Sequence, residues 1–285
     1  MRAGAGSLPA VRRVIGWLGQ SMITLGVLIL LFVAYQLWGT NLAEARSQDA
    51  LKSGFKIIPG DIDPSKALPP SPDGEAVAII KMPKINVEKV VVEGVGVPDL
   101  KKGPGHYPGT PMPGQPGNAA IAGHRTTYGA PFNQLDQMAV GDQVIVSTKQ
   151  GKFEYDVTEL KVIKPSQVEV LNNTPDNRLT LTTCNPRYSA TQRLVLVAAL
   201  KGAAAAPSPE TKRIAIHHEE GLSGDPTARL PAILWGLAAG AVWLAAYLAG
   251  RRWRKWPAYF IGAPFFFVLL FVFFENFARL LPANY

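Results

Sequence analysis

Apolar and polar positions follow three regimes along this chain. VIGWLGQSMITLGVLILLFVAYQLW (14–38) carries no charge and is long enough to cross a hydrocarbon layer of about 30 Å as a helix. AILWGLAAGAVWLAAYLAG (232–250) and PAYFIGAPFFFVLLFVFF (257–274) repeat the pattern near the other end, separated by RRWRKW (251–256). The region between is different: AVAIIKM, EKVVVEGV, AAIAGH, DQVIVST, KFEYDVTELKVI, SQVEVL, RLTLTTC and RLVLVAAL are short, β-branched or apolar runs separated by turn residues. These predict about eight strands, the fourth and fifth joined in a hairpin around Lys149-Gln150-Gly151. GAPFNQLDQM is the best short helical candidate. The fold class expected is therefore mainly β, a closed or nearly closed eight-stranded barrel with short helices, flanked by one N-terminal and two C-terminal membrane helices.

The same patterning sets the segment boundaries. Residues 1–13 precede the first span at 14–38, and 39–74 form a stalk and linker. In that stalk NLAEARSQDALKSGFK has helical spacing, and IIPGDIDPSKALPPSPDG is a Pro-, Gly- and Asp-rich extended segment. A compact domain occupies 75–201, a tether 202–230, the second span 231–250, a basic loop 251–256, the third span 257–274 and a tail 275–285. Gly262 and Pro264 mark a possible kink or re-entrant turn in the third span, and RIAI (213–216) in the tether is a candidate edge strand. No small-residue cleavage site follows the first span, which reads as a retained anchor. No internal repeat is visible.

Charge changes this picture in one respect. The formal net charge is +8, but residues 39–230 hold 21 Lys/Arg against 20 Asp/Glu. The excess sits beside the spans, at Arg2, Arg12, Arg13, Arg251, Arg252, Arg254 and Lys255. Positive residues favour the cytoplasmic side, so the N-terminus and the RRWRK loop are expected inside, and the central domain and the tail outside. A nearly neutral central domain also argues against a nucleic-acid partner.

One cysteine, Cys184, occurs in 285 residues. A single thiol forms no internal disulfide, which leaves a pairing site, an inert core residue or a nucleophile. In RLTLTTC, period two puts Leu179, Leu181 and Thr183 on one face and Thr180, Thr182 and Cys184 on the other. Cys184 ends the run where NPRYSATQ begins, and RLVLVAAL resumes at Arg193. If the two runs are hairpin neighbours, Arg193 stands opposite Cys184. His124 also falls at a strand end, after NAAIAG. Together the three types suit acyl transfer: an imidazole takes the thiol proton and returns it to a leaving amine, and a guanidinium offers donors to an oxyanion. Thr183 is a candidate donor to substrate or oxyanion. Taken singly, the cysteine reads as a packed residue, the His124-Arg125 pair as a solvated loop and Arg193 as a surface charge; sequence separation does not assign them to one site.

TLTTC (180–184) with Arg193 downstream resembles the signature of the sortases, TLxTC followed by Arg. NAAIAGHR before a short FNQL segment, IIKMPKINVEKVVVEGV, PGQPGN and the GD before VIV resemble sortase landmarks in the same order, so the likeness covers roughly Glu75 to Lys201. It implies an eight-stranded sortase barrel with His124, Cys184 and Arg193 as the catalytic trio. It also implies cleavage of a Leu-Pro-x-Thr-Gly or Leu-Ala-x-Thr-Gly signal between Thr and Gly through a thioacyl enzyme. The implied partners are sorting-signal-bearing surface proteins, a peptidoglycan precursor or other amine acceptor, and membrane lipid; no cofactor is implied. The domain resembles the class E or class D enzymes of high-GC Gram-positive bacteria, with the lean to class E. Pilin-polymerising members often carry an Asp-Pro-aromatic plug, whereas Asp63-Pro64 is followed here by Ser65. A pilin polymerase, a hydrolytic cysteine peptidase and a non-catalytic surface assembly module are the alternatives.

The remaining polar clusters read as structural. Neighbours in sequence rarely converge on one ion, so His217-His218-Glu219-Glu220 is expected to be a solvated run and no metal site. Asp61, Asp63 and Asp73 lack the spacing of a calcium loop. His106, in GPGHYPG, falls in a loop and is expected to be a turn residue or to line a substrate groove.

Overall fold

A computed structural model describes residues 8–55, 62–208, 226–253 and 255–280. The RIAI segment, the His217–Glu220 run and Asp61 lie outside the described residues.

The short runs of the central region close on one another. β1 (Ala76–Met82), β2 (Val87–Glu93), β3 (Gly105–His106), β4 (Asn118–Ala122), β5 (Gln143–Thr148), β6 (Gly151–Ile163), β7 (Arg178–Asn185) and β8 (Gln192–Lys201) form a closed barrel in the order β1-β2-β3-β4-β7-β8-β6-β5. Closure shields most strand edges, although only Val92 and Glu93 of β2 pair with the short β3. The β2–β3 and β4–β7 pairs are parallel and the rest antiparallel. One turn of helix, α3 (Val97–Leu100), lies between β2 and β3.

The interior is filled by the apolar members of the alternating pattern, among them Ile80, Met82, Ile121, Phe132, Leu135, Val146, Tyr155, Leu179, Leu181 and Leu196. Each such aliphatic side chain contributes on the order of 2 kcal/mol on leaving water. β7 is buried on both faces, and its polar face is satisfied within the protein. Thr180 donates to Asn118 Oδ1 (2.7 Å), and Thr182 shares a hydrogen bond with the Tyr107 hydroxyl (3.2 Å). Buried hydroxyls without such partners would cost about 1–3 kcal/mol each.

Three expected elements differ. SQVEVL forms no strand; its Val168–Leu171 is a 3-10 turn. The eighth strand is instead the two-residue β3, which is too short to show periodicity and is fixed by its pairing with β2 and β4. The GAPFNQLDQM segment shrinks to one 3-10 turn, Leu135–Gln137. His106 is not a loop residue: it lies in β3, 2% exposed, with Nδ1 2.8 Å from Glu93 Oε2 and Nε2 3.0 Å from the Pro111 carbonyl. The cavity of about 540 Å³ that it helps line contains none of Cys184, His124 or Arg193.

Outside the barrel, α1 (Leu8–Ala34) passes through a π-helical turn at Tyr35–Gly39 into α2 (Thr40–Gly54). α4 (Arg229–Arg252) and α5 (Lys255–Ala278) follow the barrel, and α5 continues through Pro264. All three helical stretches are long and apolar enough to cross a membrane. The first and last meet through Tyr35, whose ring lies edge-on to Phe271 at 5.1 Å. The stalk α2 is packed on the barrel. Gln48 accepts from the Val90 N–H (2.8 Å) and donates to the Val90 and Lys102 carbonyls (3.0 and 2.9 Å), and buried Glu44 pairs with Lys89 at 2.6 Å.

Candidate active site

The β7–β8 hairpin pairs Cys184 with Arg193, so both side chains leave the sheet on the same side. β4 runs parallel to β7 on its other flank, with Ala122 beside Thr182. The Gly123 N–H continues the ladder by donating to the Thr182 carbonyl (3.1 Å), so His124 follows directly at the end of β7 that carries Cys184. Cys184 and Arg193 thus share one row of the β7–β8 hairpin, and His124 begins the loop that leaves β4 at the same end of the sheet. His124 and Cys184 are buried, at 7% and 8% exposure.

Burial dominates protonation at this end of the sheet. It pushes the Cys184 thiol up, and the charges of Arg193 and Arg125 only partly oppose it. It pulls His124 down to about 4, with Lys101 adding to the effect. At neutral pH both groups are consequently uncharged, a thiol and a neutral imidazole. The same burial links His124 to stability. Between about 4 and 6.5 the unfolded chain binds a proton at this residue that the folded chain does not, so stability falls as pH drops through that window. His124→Gln should make the melting temperature of the full chain fall less steeply over that range.

Two neighbours define the mouth. Tyr107, held to Thr182, feels both Arg193 and Cys184. Arg193 Nη1 donates to the Ala190 and Gln192 carbonyls (2.9 and 3.1 Å), which folds the β7–β8 loop back over the strand ends.

Thr183 is engaged by the backbone of the neighbouring strand end. Its hydroxyl donates to the Gly123 carbonyl at 2.7 Å and is 3% exposed. It lies on the leucine face of β7, opposite Cys184, and there it fixes the start of the His124 loop. Arg125, adjacent to His124, is no solvated loop residue. It is 4% exposed, donates through Nη1 to the Cys184 carbonyl (3.1 Å) and to Asn185 Oδ1 (2.6 Å), and pairs through Nη2 with Asp136 (3.0 Å). It ties the histidine loop to the cysteine strand. Only its place next to a strand-end histidine could have pointed to it.

The His124 loop is tightly built. The Phe132 N–H closes it on the His124 carbonyl (3.1 Å), and Phe132 lies under Gly123, where an added Cβ would stand 2.7 Å from the ring. Tyr128, Gly129 and Ala130 all have positive φ, at 50°, 73° and 41°, a conformation that costs a non-glycine residue about 1–2 kcal/mol. Gly123→Ala is expected to lower stability by about 1–3 kcal/mol through overpacking and to slow any reaction that needs His124. Thermal unfolding and the rate of acyl-adduct formation measure the two effects separately.

Known proteins resemble this domain. The sortase domain family model matches residues 80–201, which span all the barrel strands but the first half of β1. Sortase SrtE1 of Streptomyces coelicolor is 34% identical over 203 residues, 63% of this chain and 55% of that protein. Sortase D of Bacillus subtilis is 33% identical over 114 residues, 40% of this chain and 56% of that protein. The chain thus spans just over half the length of these two curated relatives. The solved sortase E of Streptomyces avermitilis is 36% identical over 46% of this chain and 91% of that one, with a TM-score of 0.43. Residues 80–201 are thus a sortase domain, by the family model that matches them and by the curated sortases that share the segment.

Proposed function

We propose that this chain is a membrane-anchored cysteine transpeptidase that cleaves a Leu-Pro-x-Thr-Gly or Leu-Ala-x-Thr-Gly sorting signal between Thr and Gly. The observation that carries the reading is the register that sets Cys184 opposite Arg193, with the His124 loop leaving β4 just past the Ala122–Thr182 pair.

The chemistry follows from those positions. His124 accepts the thiol proton as Cys184 Sγ attacks the threonine carbonyl carbon, and the carbonyl π electrons move to oxygen. The Arg193 guanidinium, on the same side of the sheet, supplies a permanent charge and donors to that oxygen. The tetrahedral carbon then expels the glycine nitrogen, which takes the proton held by His124 and leaves as an amine. A thioester on Cys184 remains. An acceptor amine attacks it, gives up a proton to His124, and the C–S bond breaks to return the thiol. The acceptor in this reading is a cell-wall precursor amine.

Topology supports the same reading. Three apolar helices with basic flanks at 12–13 and 251–255 orient the barrel to the outer face by the positive-inside preference. There, substrates that are themselves membrane-held gain effective concentration. Biotinylation of the barrel lysines by an impermeant reagent in intact cells tests that orientation. Likeness to a curated SrtE1 and to a solved sortase E supports class E and a preference for Ala at the second signal position.

The full chain in nanodiscs, given signal peptides with Pro or Ala at that position plus an amine, tests the activity. A Cys184 acyl adduct by mass spectrometry and an amine-dependent product are expected. Adduct without amine-dependent product would indicate a hydrolase, and no adduct with either peptide would overturn the proposal.

A further inference from the structure

The stalk helix does more than hold the barrel off the membrane. Its first residues end on the His124 loop. The Tyr128 N–H donates to Thr40 Oγ1 (3.2 Å) and the Gly129 N–H to Asn41 Oδ1 (2.9 Å). Thr40 is fully buried, and its hydroxyl also donates to the Gln36 carbonyl one helical turn back (2.8 Å). The two N–H groups belong to the left-handed run of the loop, the part least able to hold its shape unaided. The approach is close enough that a Cβ on Gly129 would overlap the carboxylate of Glu44, one turn further along α2. Tyr128 in turn packs its ring against the His124 imidazole, centroids 5.2 Å apart, with Lys101 Nζ 5.6 Å from the centre of the Tyr128 ring.

We propose that Thr40 and Asn41 are positioning residues for His124. They hold the Tyr128–Gly129 turn, and Tyr128 holds the imidazole. The inference rests on the catalytic reading of His124 given above.

α2 is anchored independently by Gln48 on β2 and by the Glu44–Lys89 pair. Loss of the Thr40 and Asn41 contacts therefore leaves the helix docked and releases only the loop. That separates positioning from simple packing. The helix bearing these residues is continuous with the first apolar stretch, so the membrane anchor and the general base share one structural element. A freely hinged stalk would show no such bonds to a catalytic loop.

The test uses the full chain in detergent micelles, with ¹⁵N-labelled histidine and the His124 signal assigned through His124→Gln. The double variant Thr40→Val/Asn41→Ala removes both acceptors. Thr40→Ser/Asn41→Asp restores an oxygen at each place, and Ser53→Ala on the exposed end of α2 is the control. In the double variant kcat for acyl transfer should fall about tenfold or more with KM nearly unchanged, because misplacement of a catalytic group acts on the chemical step. The His124 titration should move up from near 4 toward 6.5 as the loosened loop admits water. The restoring variant should recover both, and the control should match the wild type. An unchanged His124 titration overturns the inference, whether kcat holds or falls together with the melting temperature. If the wild type itself forms no acyl adduct, the transpeptidase reading fails, and the NMR arm still decides whether the stalk positions His124.

Discussion

Replacing Cys184 with alanine is expected to abolish thioacyl formation and amine-dependent transfer, by about 10⁴-fold or more, with little change in folding. No other thiol exists in the chain, so no neighbouring sulfur can substitute. The loss should be near-total because removing a nucleophile from a set that acts as a unit leaves only the residual effect of binding. The side chain is small and already 8% exposed, so losing one sulfur atom opens a minor void. The wild-type thiol should also show its environment. Burial raises it despite two nearby guanidinium groups, so alkylation by iodoacetamide should be slow at pH 7 and climb at alkaline pH, above the range of an exposed cysteine. Transfer that survives Cys184→Ala would place the nucleophile elsewhere, and absence of transfer in the wild type as well would leave the surface assembly reading standing.

The second large effect is expected at Arg193. Arg193→Gln should lower kcat/KM about 10²- to 10³-fold, the range seen when one oxyanion donor is removed. It should also raise the pH midpoint of Cys184 alkylation, since the Arg193 charge works against burial at the sulfur. Arg193→Lys separates the two contributions. The ammonium keeps the charge and should hold the alkylation midpoint close to wild type, but it lacks the planar fork, so transfer should remain at least about tenfold impaired. Arg193 also folds the β7–β8 loop through the Ala190 and Gln192 carbonyls, and a loop collapse would depress both variants alike. An unchanged alkylation midpoint together with unchanged transfer in Arg193→Gln would reduce Arg193 to a surface charge.

These two residues were readable as partners in the sequence because they flank a single hairpin. Period two and one short polar loop suffice to set Cys184 opposite Arg193. His124 is a different matter. Its approach to the Cys184 end of β7 depends on a parallel pairing of β4 with β7, strands separated by β5 and β6, and no local pattern encodes that pairing; the family likeness alone grouped His124 with Cys184. Thr183 shows the limit of reading a motif as a set of roles. Its place on the leucine face was legible, and that face already directs the hydroxyl to Gly123 and away from the sulfur. Arg125 was misread for the converse reason: an arginine in a polar loop ordinarily stays in water, and only the convergence of the Cys184 carbonyl, Asn185 and Asp136 makes its burial tolerable.

The strand inventory divides in the same way. SQVEVL has the composition of a strand, yet β7, which follows it, is already paired on both sides by β4 and β8, so a closed barrel has no edge to offer it. The two residues of β3 carry no periodic signal and become a strand through the partners on either side. Likewise the helical spacing of NLAEARSQDALKSGFK (41–56) was visible, but not what its polar face meets. Gln48 and Glu44 are buried because the barrel presents a matching carbonyl, N–H and lysine.

By itself the sequence determined what depends on neighbours along the chain: three apolar stretches long enough for helices, alternating runs that became seven of the eight strands, and the Cys184–Arg193 hairpin. Periodicity and turn chemistry act over a few residues, and a few residues are enough to express them. Only the tertiary structure decided which strands closed the barrel, that Arg125 and Thr183 both tie the histidine loop to the cysteine strand, and that the stalk ends on the histidine loop. Each of these rests on a contact between segments tens of residues apart, whose partners exist only once the whole barrel has closed.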